Sequence, residues 1–386
     1  MKAAIRLWSN PRAAVEQPIW PDTPEGRQAQ AYLQPLLELG SRAFAANVDT
    51  RLLLLETADA IMPVTLNDTQ YDSSYVVSPF THYVSYAIQE LELLGSKPLE
   101  LLLTGLLHGL GMMFKLVRIN RTVQLNNWLL STNLYPQGLT PETALAAAEL
   151  VRASFPGHTL IFRSLCRTLH APLLDALTRY GFRLVPSRQI YLWEPSRLTA
   201  KARWLLKRDR ALLEAHGYEP VEHERLCESD VPRLLELYNL LYLDKYSLHN
   251  PQFTERFLLQ ALREQTLRLH ALRCKTSGRI DAVLGCYTRG GIMTTPVFGY
   301  DTSLPQKLGL YRMLSAELLR LAAADNCLLH ESSGAAEFKR NRGAFADIEY
   351  LAVYDRHLPW PRRACWSLLA CVLNSVGVPL MKKRKL

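Results

Sequence analysis

Pro305-Gln306-Lys307-Leu308-Gly309-Leu310-Tyr311-Arg312 is the stretch on which the reading of this chain turns. It follows an apolar, β-rich run at 292–300 and opens a run at 308–324 with helical spacing. A glycine at the start of a helix that follows a strand presents free backbone N–H groups and the positive end of the helix dipole. That geometry suits an anion such as a pyrophosphate. Outward from the turn, residues 291–354 read as strand, turn, long helix, short strand (327–331), short helix (335–342) and strand (346–354).

Further back, 221–226 reads as a strand, and 230–242 and 252–264 as helices separated by the loop 244–251. The runs 267–273 and 280–288 form a hairpin through Thr276-Ser277-Gly278. From residue 218 the order is therefore β, α, α, β, β, β, α, β, α, β. In the first half, 52–55 and 60–66 read as strands, 78–94 as a helix and 117–132 as one or two strands. Thr140 can cap a helix over 141–155 whose first residue is Pro141. A strand at 159–164, a helix over 172–180 ended by Gly181, and a strand over 183–193 follow. Both halves close on strand, helix, strand, helix, strand, and the helix ends at 177–182 and 339–344 correspond. The expectation is a mixed α/β chain of two related domains in tandem. The first covers 1–197, with an irregular Pro-rich leader over 1–30, and the second 198–386. The basic stretch 194–210 with Trp204, Leu205, Leu206, Leu212 and Leu213 reads as a linker helix between them.

The element order and the turn resemble the GNAT superfamily of N-acyltransferases, whose pyrophosphate turn is Q/R-x-x-G-x-G/A. Gln306, Gly309 and Tyr311 fill that frame, with Tyr311 departing at the last position. Residues 332–343, with Phe338-Lys339 and Gly343, resemble the F-K-x-x-x-G form of the FemAB-like branch. The resemblance implies an acyl-CoA or acyl-carrier-protein donor, a small-molecule amine acceptor and no metal. It places the donor on Gln306, Lys307, Leu308, Gly309, Leu310, Tyr311 and Arg312, with Ser333 and Lys339. Lys339 stands where many such enzymes carry a tyrosine acid, so that acid is not carried over. Arg340 and Arg342 either pair with phosphates or form a solvated basic face. The first-half turn at 132–139 lacks the frame, so no second donor is expected there.

Acyl transfer to an amine needs a base, an oxyanion donor and a leaving group that receives a proton. Gly299 would allow a strand bulge whose backbone N–H meets the oxyanion. Candidate bases are Glu331, Glu349, His249 and His330; on alternation Glu331 shares a face with Cys327 and Leu329, where a carboxylate is either catalytic or paired with an arginine. Tyr246, Ser247, His249 and Asn250 lie in the loop that in GNATs covers the acceptor. Asn250 could equally cap a helix beginning at Pro251. No Ser or Cys has an evident His partner in the sequence, which favours direct attack over a covalent intermediate. An aminoacyl-tRNA-dependent FemAB-type transferase and a non-catalytic GNAT-fold binding module are the alternatives.

The net charge of +9 admits nucleic acid, an anionic membrane surface or a polyanionic cofactor as partners. Seven cysteines with no C-x-x-C spacing suggest buried, reduced thiols in a cytoplasmic protein. No signal peptide is expected in the charge-interrupted residues 1–8. Residues 93–117 are Leu- and Gly-rich but carry Lys97, Glu100, His108 and Lys115, so they read as a buried core element. Residues 361–381 are apolar between Arg362-Arg363 and a basic tail at 382–385. They read as a terminal helix packed on its own domain, with peripheral membrane contact through the tail as the alternative.

Overall fold

The structure is a computed structural model and describes residues 5–8, 17–91 and 97–384. Parts of the leader (1–4, 9–16), the head of the 93–117 segment (92–96) and Lys385 of the tail lie outside the described residues.

The fold is mixed α/β. Its strands are β1 (Arg6–Trp8), β2 (Arg51–Glu56), β3 (Ile61–Asn67), β4 (Thr122–Leu125), β5 (Thr159–Cys166), β6 (Arg183–Trp193), β7 (Tyr218–Val221), β8 (Arg268–Cys274), β9 (Ile280–Arg289), β10 (Ile292–Tyr300), β11 (Leu328–His330) and β12 (Phe345–Tyr354). They form one twelve-stranded sheet in the order β1-β2-β3-β4-β5-β12-β6-β11-β10-β9-β8-β7. All neighbours are antiparallel except β4/β5 and β10/β11. Each half of the chain thus contributes six strands, and the two halves trade their final strands. β12, last in the chain, pairs with β5 of the first half, while β6 pairs with β11 of the second. At the seam Glu349 lies opposite Arg188.

The helices are α1 (Pro24–Leu39), α2 (Tyr86–Glu90, continuing a π-helical turn Thr81–Ser85), α3 (Lys97–Leu116), α4 (Pro141–Ser154), α5 (Arg167–Tyr180), α6 (Ala200–Ala215), α7 (Val231–Asn239), α8 (Glu255–Glu264), α9 (Leu310–Ala324), α10 (Ala336–Asn341), α11 (Trp360–Val372) and α12 (Val378–Arg384). From β7 to β12 they follow the order expected from the sequence. Thr140 caps α4 by accepting from the Thr143 N–H, with Pro141 in the first turn. α5 and α10 both run into a glycine with positive φ, Gly181 and Gly343.

Four local expectations are corrected. Of 117–132 only Thr122–Leu125 is strand; Asn126, Asn127 and Asn133 take up backbone groups of the loop that follows instead. The helix expected from 252 begins at Glu255, because Thr254 accepts from the Phe257 N–H and caps it. Residues 93–117 are not a buried core element: α3 buries only one side, chiefly Phe114, and leaves Leu101, Leu102, Leu106, Met112 and Leu116 exposed. Among the cysteines, Cys227 and Cys371 are exposed.

Gly299 supplies no bulge. The register shift in the β9/β10 pair falls between Thr294 and Val297, around Pro296, and Gly299 pairs regularly with Val283. A Cβ on Gly299 would overlap the Leu237 carbonyl and lie 2.7 Å from the Tyr238 N, so glycine lets α7 approach the strand. Gly299→Ala should therefore push α7 off the sheet, at a cost of about 1–3 kcal/mol in urea unfolding, as overpacking does elsewhere. An unchanged midpoint would show that α7 can move freely.

Candidate functional site

β10 and β11 run together as far as Thr294 and His330. Then β11 stops while β10 continues to Tyr300, so the two strands no longer pair beyond this point. Glu331 is the first residue past the end of β11. Its backbone N–H still donates to Tyr191 at 2.9 Å, which fixes the side chain's origin. Its Oε2 is buried and has no hydrogen-bond partner among the described residues. Burial pushes the carboxyl up to about 7, against the pull of Lys339 and Arg342. Burial in turn lowers Lys339 to about 8, opposed by Glu331. The Lys339 ammonium donates to the backbone oxygens of Glu331 (2.6 Å) and Ser333 (2.8 Å), tying the strand end to α10. Ser333 itself is exposed. Tyr311 packs its ring against Phe298, Tyr300 and Phe338, and its phenol is raised by burial and then by Glu331.

The turn before α9 has the expected form. Gln306 and Lys307 are exposed, Leu308 and Leu310 pack inward, and Gly309 takes φ 77°, a left-handed conformation that glycine adopts without strain. What lies over it was not foreseen. α6 is no free linker but packs along α9. A Cβ on Gly309 would lie 3.0 Å from Leu212 of α6. Asp209 of α6 is 0 % exposed and bridges two guanidinium groups, Arg312 at 2.6 Å and Arg342 at 2.5 Å. The carboxylate thus sits between the start of α9 and the end of α10, on the cations that would otherwise meet a donor's phosphates. With α6 docked, the residues present do not fit a CoA pyrophosphate here.

The loop ascribed to the acceptor joins the two halves. Tyr246 ends a π-helical extension of α7, half-exposed, with its ring against Tyr242. Ser247 donates to Gln89 Oε1 at 2.5 Å, and the His249 carbonyl accepts from Ser74 Oγ at 2.8 Å. Asn250 does not cap a helix at Pro251; its amide donates back to the Tyr242 and Ser247 carbonyls.

A second polar pocket lies beside the seam, about 350 Å³ with its open mouth included, lined by Tyr75, His82, Arg163, Ser187, Arg188 and Glu349 among others. Arg188 holds Glu349 at 3.0 and 3.3 Å, and His330 lies 3.7 Å from the same carboxylate. Glu349 is thus a paired carboxylate. Arg163 is buried and, among the described residues, donates to neutral oxygens, Val76 O (2.7 Å) and Asn127 Oδ1 (3.0 Å). Two guanidinium groups against one carboxylate leave the pocket positive. Burial, followed by the charges of Arg163 and Arg188, lowers His82 to about 3. Contrary to the sequence reading, a serine does have a histidine partner: Ser187 Oγ lies 3.0 Å from His82 Nε2. They come from β6 and the π-helical turn, 105 positions apart, so no local motif links them.

No family model matches the chain, and no curated protein matches it by sequence. Among solved structures it is similar to L-PGS from Bacillus licheniformis, with 17% identity, a TM-score of 0.42, and 59% of this chain and 76% of that one covered. It is also similar to FemX (7%, 0.43, 56% and 77%). A GCN5-related N-acetyltransferase from Kribbella flavida is a further neighbour (13%, 0.34, 60% and 81%). The fold assignment rests on the element order and sheet topology above.

Proposed function

We propose that the protein is a transferase that moves an acyl group from an activated ester to an amine by direct attack, with Glu331 as the base. The observation that carries this reading is Glu331 itself: a half-buried residue whose Oε2 is buried without a partner among the described residues and whose proton affinity lies near neutrality, at the point where β10 and β11 part, which we read as the entrance to a cleft. The ionised carboxylate takes the proton from the attacking nitrogen as the C–N bond forms. The collapsing intermediate expels the donor's leaving group, which recovers that proton. The loop carrying Tyr246 and His249 lies beside the cleft and contributes to acceptor recognition. The anionic part of an acceptor finds its counter-charge in the Arg163 pocket.

The docked α6 favours a donor other than free acyl-CoA, such as a carrier-linked thioester or an aminoacyl ester. Its reactive end would enter the cleft without a pyrophosphate at Gly309. We take 1–197 and 198–386 as related repeats, with the acyl chemistry in the second.

The test is turnover with acetyl-CoA, a longer acyl-CoA and an aminoacyl ester. The general base works ionised, so the rate should climb with pH and level off above about 7. Glu331→Gln should lower turnover by roughly 10²–10⁴-fold and abolish that rise while leaving donor binding intact. A fully active Glu331→Gln variant would sink the assignment. Calorimetric titration with acetyl-CoA, using Gly309→Asp as control, decides whether the turn binds CoA after all.

A further inference from the structure

The exposed apolar surface and the net charge of this molecule occupy the same two places. α3 presents Leu101, Leu102, Leu106, Met112 and Leu116 to solvent, 62–86 % exposed. The α11–α12 helix, Trp360–Lys383, is long and apolar enough to cross a membrane, and only 22% of its most apolar stretch is buried. It presents Trp360, Leu368, Val376 and Leu380. The other large apolar side chains most exposed among the described residues are scattered: Ile19, Leu39, Trp204, Tyr246 and Leu248.

Both helices cover the same hydrophobic cluster. Phe114 of α3 and Cys365, Trp366, Leu369 and Ala370 of α11 pack over Ile161, Val185, Leu351 and Val353. Arg362 ties the start of α11 to the end of α3 by donating to the Val117 carbonyl at 2.9 Å. The two apolar faces therefore belong to one side of the molecule.

The charge follows the same partition. Residues 97–121 hold four basic residues and one acidic, and 356–384 hold six basic and none acidic. Together they account for the whole net charge of +9, leaving the rest of the chain with as many acidic as basic residues. Asp68 answers Arg121 from outside these segments, but the helices themselves carry a single acid, and an apolar face edged with Lys and Arg is complementary to a surface that is anionic outside and apolar beneath.

We propose that α3 and the α11–α12 helix together form a docking face for an anionic lipid bilayer. The helices lie in the interface with their leucines and Trp360 among the acyl chains and Lys97, Lys115, Arg118, Arg363, Lys382 and Lys383 at the headgroups. The buried side of α11 holds it on the sheet, so the contact is peripheral rather than spanning. A nucleic acid would use the charge but not the leucines, and a second copy of this chain would meet like charge with like.

The test is flotation of the full chain with vesicles of pure phosphatidylcholine and of phosphatidylcholine mixed equally with phosphatidylglycerol. The expected result is binding to the anionic vesicles alone, reversed by high salt. Leu102→Glu with Leu106→Glu, and separately Lys382→Glu with Lys383→Glu, should each weaken binding at least about tenfold, since each headgroup-level charge contributes about 1 kcal/mol. All four positions are on the surface, and circular dichroism checks that both variants fold. Failure of the wild type to float, or flotation unaffected by both variants, overturns the proposal. So does a dimer in light scattering that Leu102→Glu with Leu106→Glu dissolves, which assigns the face to a second copy. Resistance to high salt assigns α11–α12 to insertion instead of docking.

Discussion

Asp209→Ala should destabilise the protein by about 3–5 kcal/mol, the usual consequence of removing one partner from a buried ion cluster. Asp209 is entirely buried and faces Arg312 and Arg342 at 2.5–2.7 Å. Its loss leaves two guanidinium groups without their ion-pair partner, one of them, Arg342, only 6 % exposed. α6 would also lose the carboxylate that ties it to both α9 and α10. Urea unfolding at neutral pH reads the loss as a lower midpoint. The variant also tests what the groove can hold. If α6 occupies a place once shaped for phosphate, added inorganic pyrophosphate should restore part of the lost stability in Asp209→Ala and do nothing for the wild type. Equal response in both proteins would separate the groove from phosphate binding, without touching the role of Glu331.

The second large effect is acid lability. Burial lowers His82 and His330 to about 3 and His170 to about 4. For His82 and His330 nearby arginines add to the burial. The sign follows from linkage. In the unfolded chain these imidazoles take up protons below their ordinary pKa of 6.5, while the folded protein holds them neutral. The stability they contribute is complete above that pH and is lost as pH falls toward 4. Each titrating group contributes about 1.4 kcal/mol per pH unit, so the three together reach about 4 kcal/mol per unit in the middle of that window. Against a total stability of about 5–15 kcal/mol, the loss accumulated by pH 5, about 6 kcal/mol, is a large share, so the urea midpoint should fall steeply below pH 6.5. Urea midpoints at half-unit intervals from pH 7 to 5 check this. A flat profile would mean the imidazoles reach water in the native state.

The sequence disclosed local order well and spatial convergence poorly. The β10-turn-α9 passage was legible because a strand, a polar turn with Gly309 and a helical period follow one another directly. So was the capped start of α4, where Thr140 and Pro141 sit side by side. Glu331 was legible as a carboxylate at a strand end; what was hidden was that burial holds its proton near neutrality. The bulge at Gly299 was misjudged because a glycine in a strand serves two purposes, and only the neighbouring helix decides between them. Arg188 and Asp209 left traces that could have been followed. One is an arginine in the interior of the strand 183–193, just before its apolar end, the other the lone acid in the basic run 201–210. Their partners, Glu349 and Arg312, lie more than a hundred positions away. The amphipathic face of α3 was misread for another reason: an apolar stretch looks the same in sequence whether protein or solvent covers it.

The exchange of β6 and β12 bears on how the molecule is made. While the ribosome is still producing the second half, β5 has no neighbour on one side and β6 has none of its final partners. The edge of the first half stays open until residues 345–354 have emerged. The last of the twelve strands closes the first half, so the two halves cannot mature one after the other. They must finish together, through pairings nearly two hundred residues apart, of the slow and long-range kind that exposes a nascent chain to chaperones.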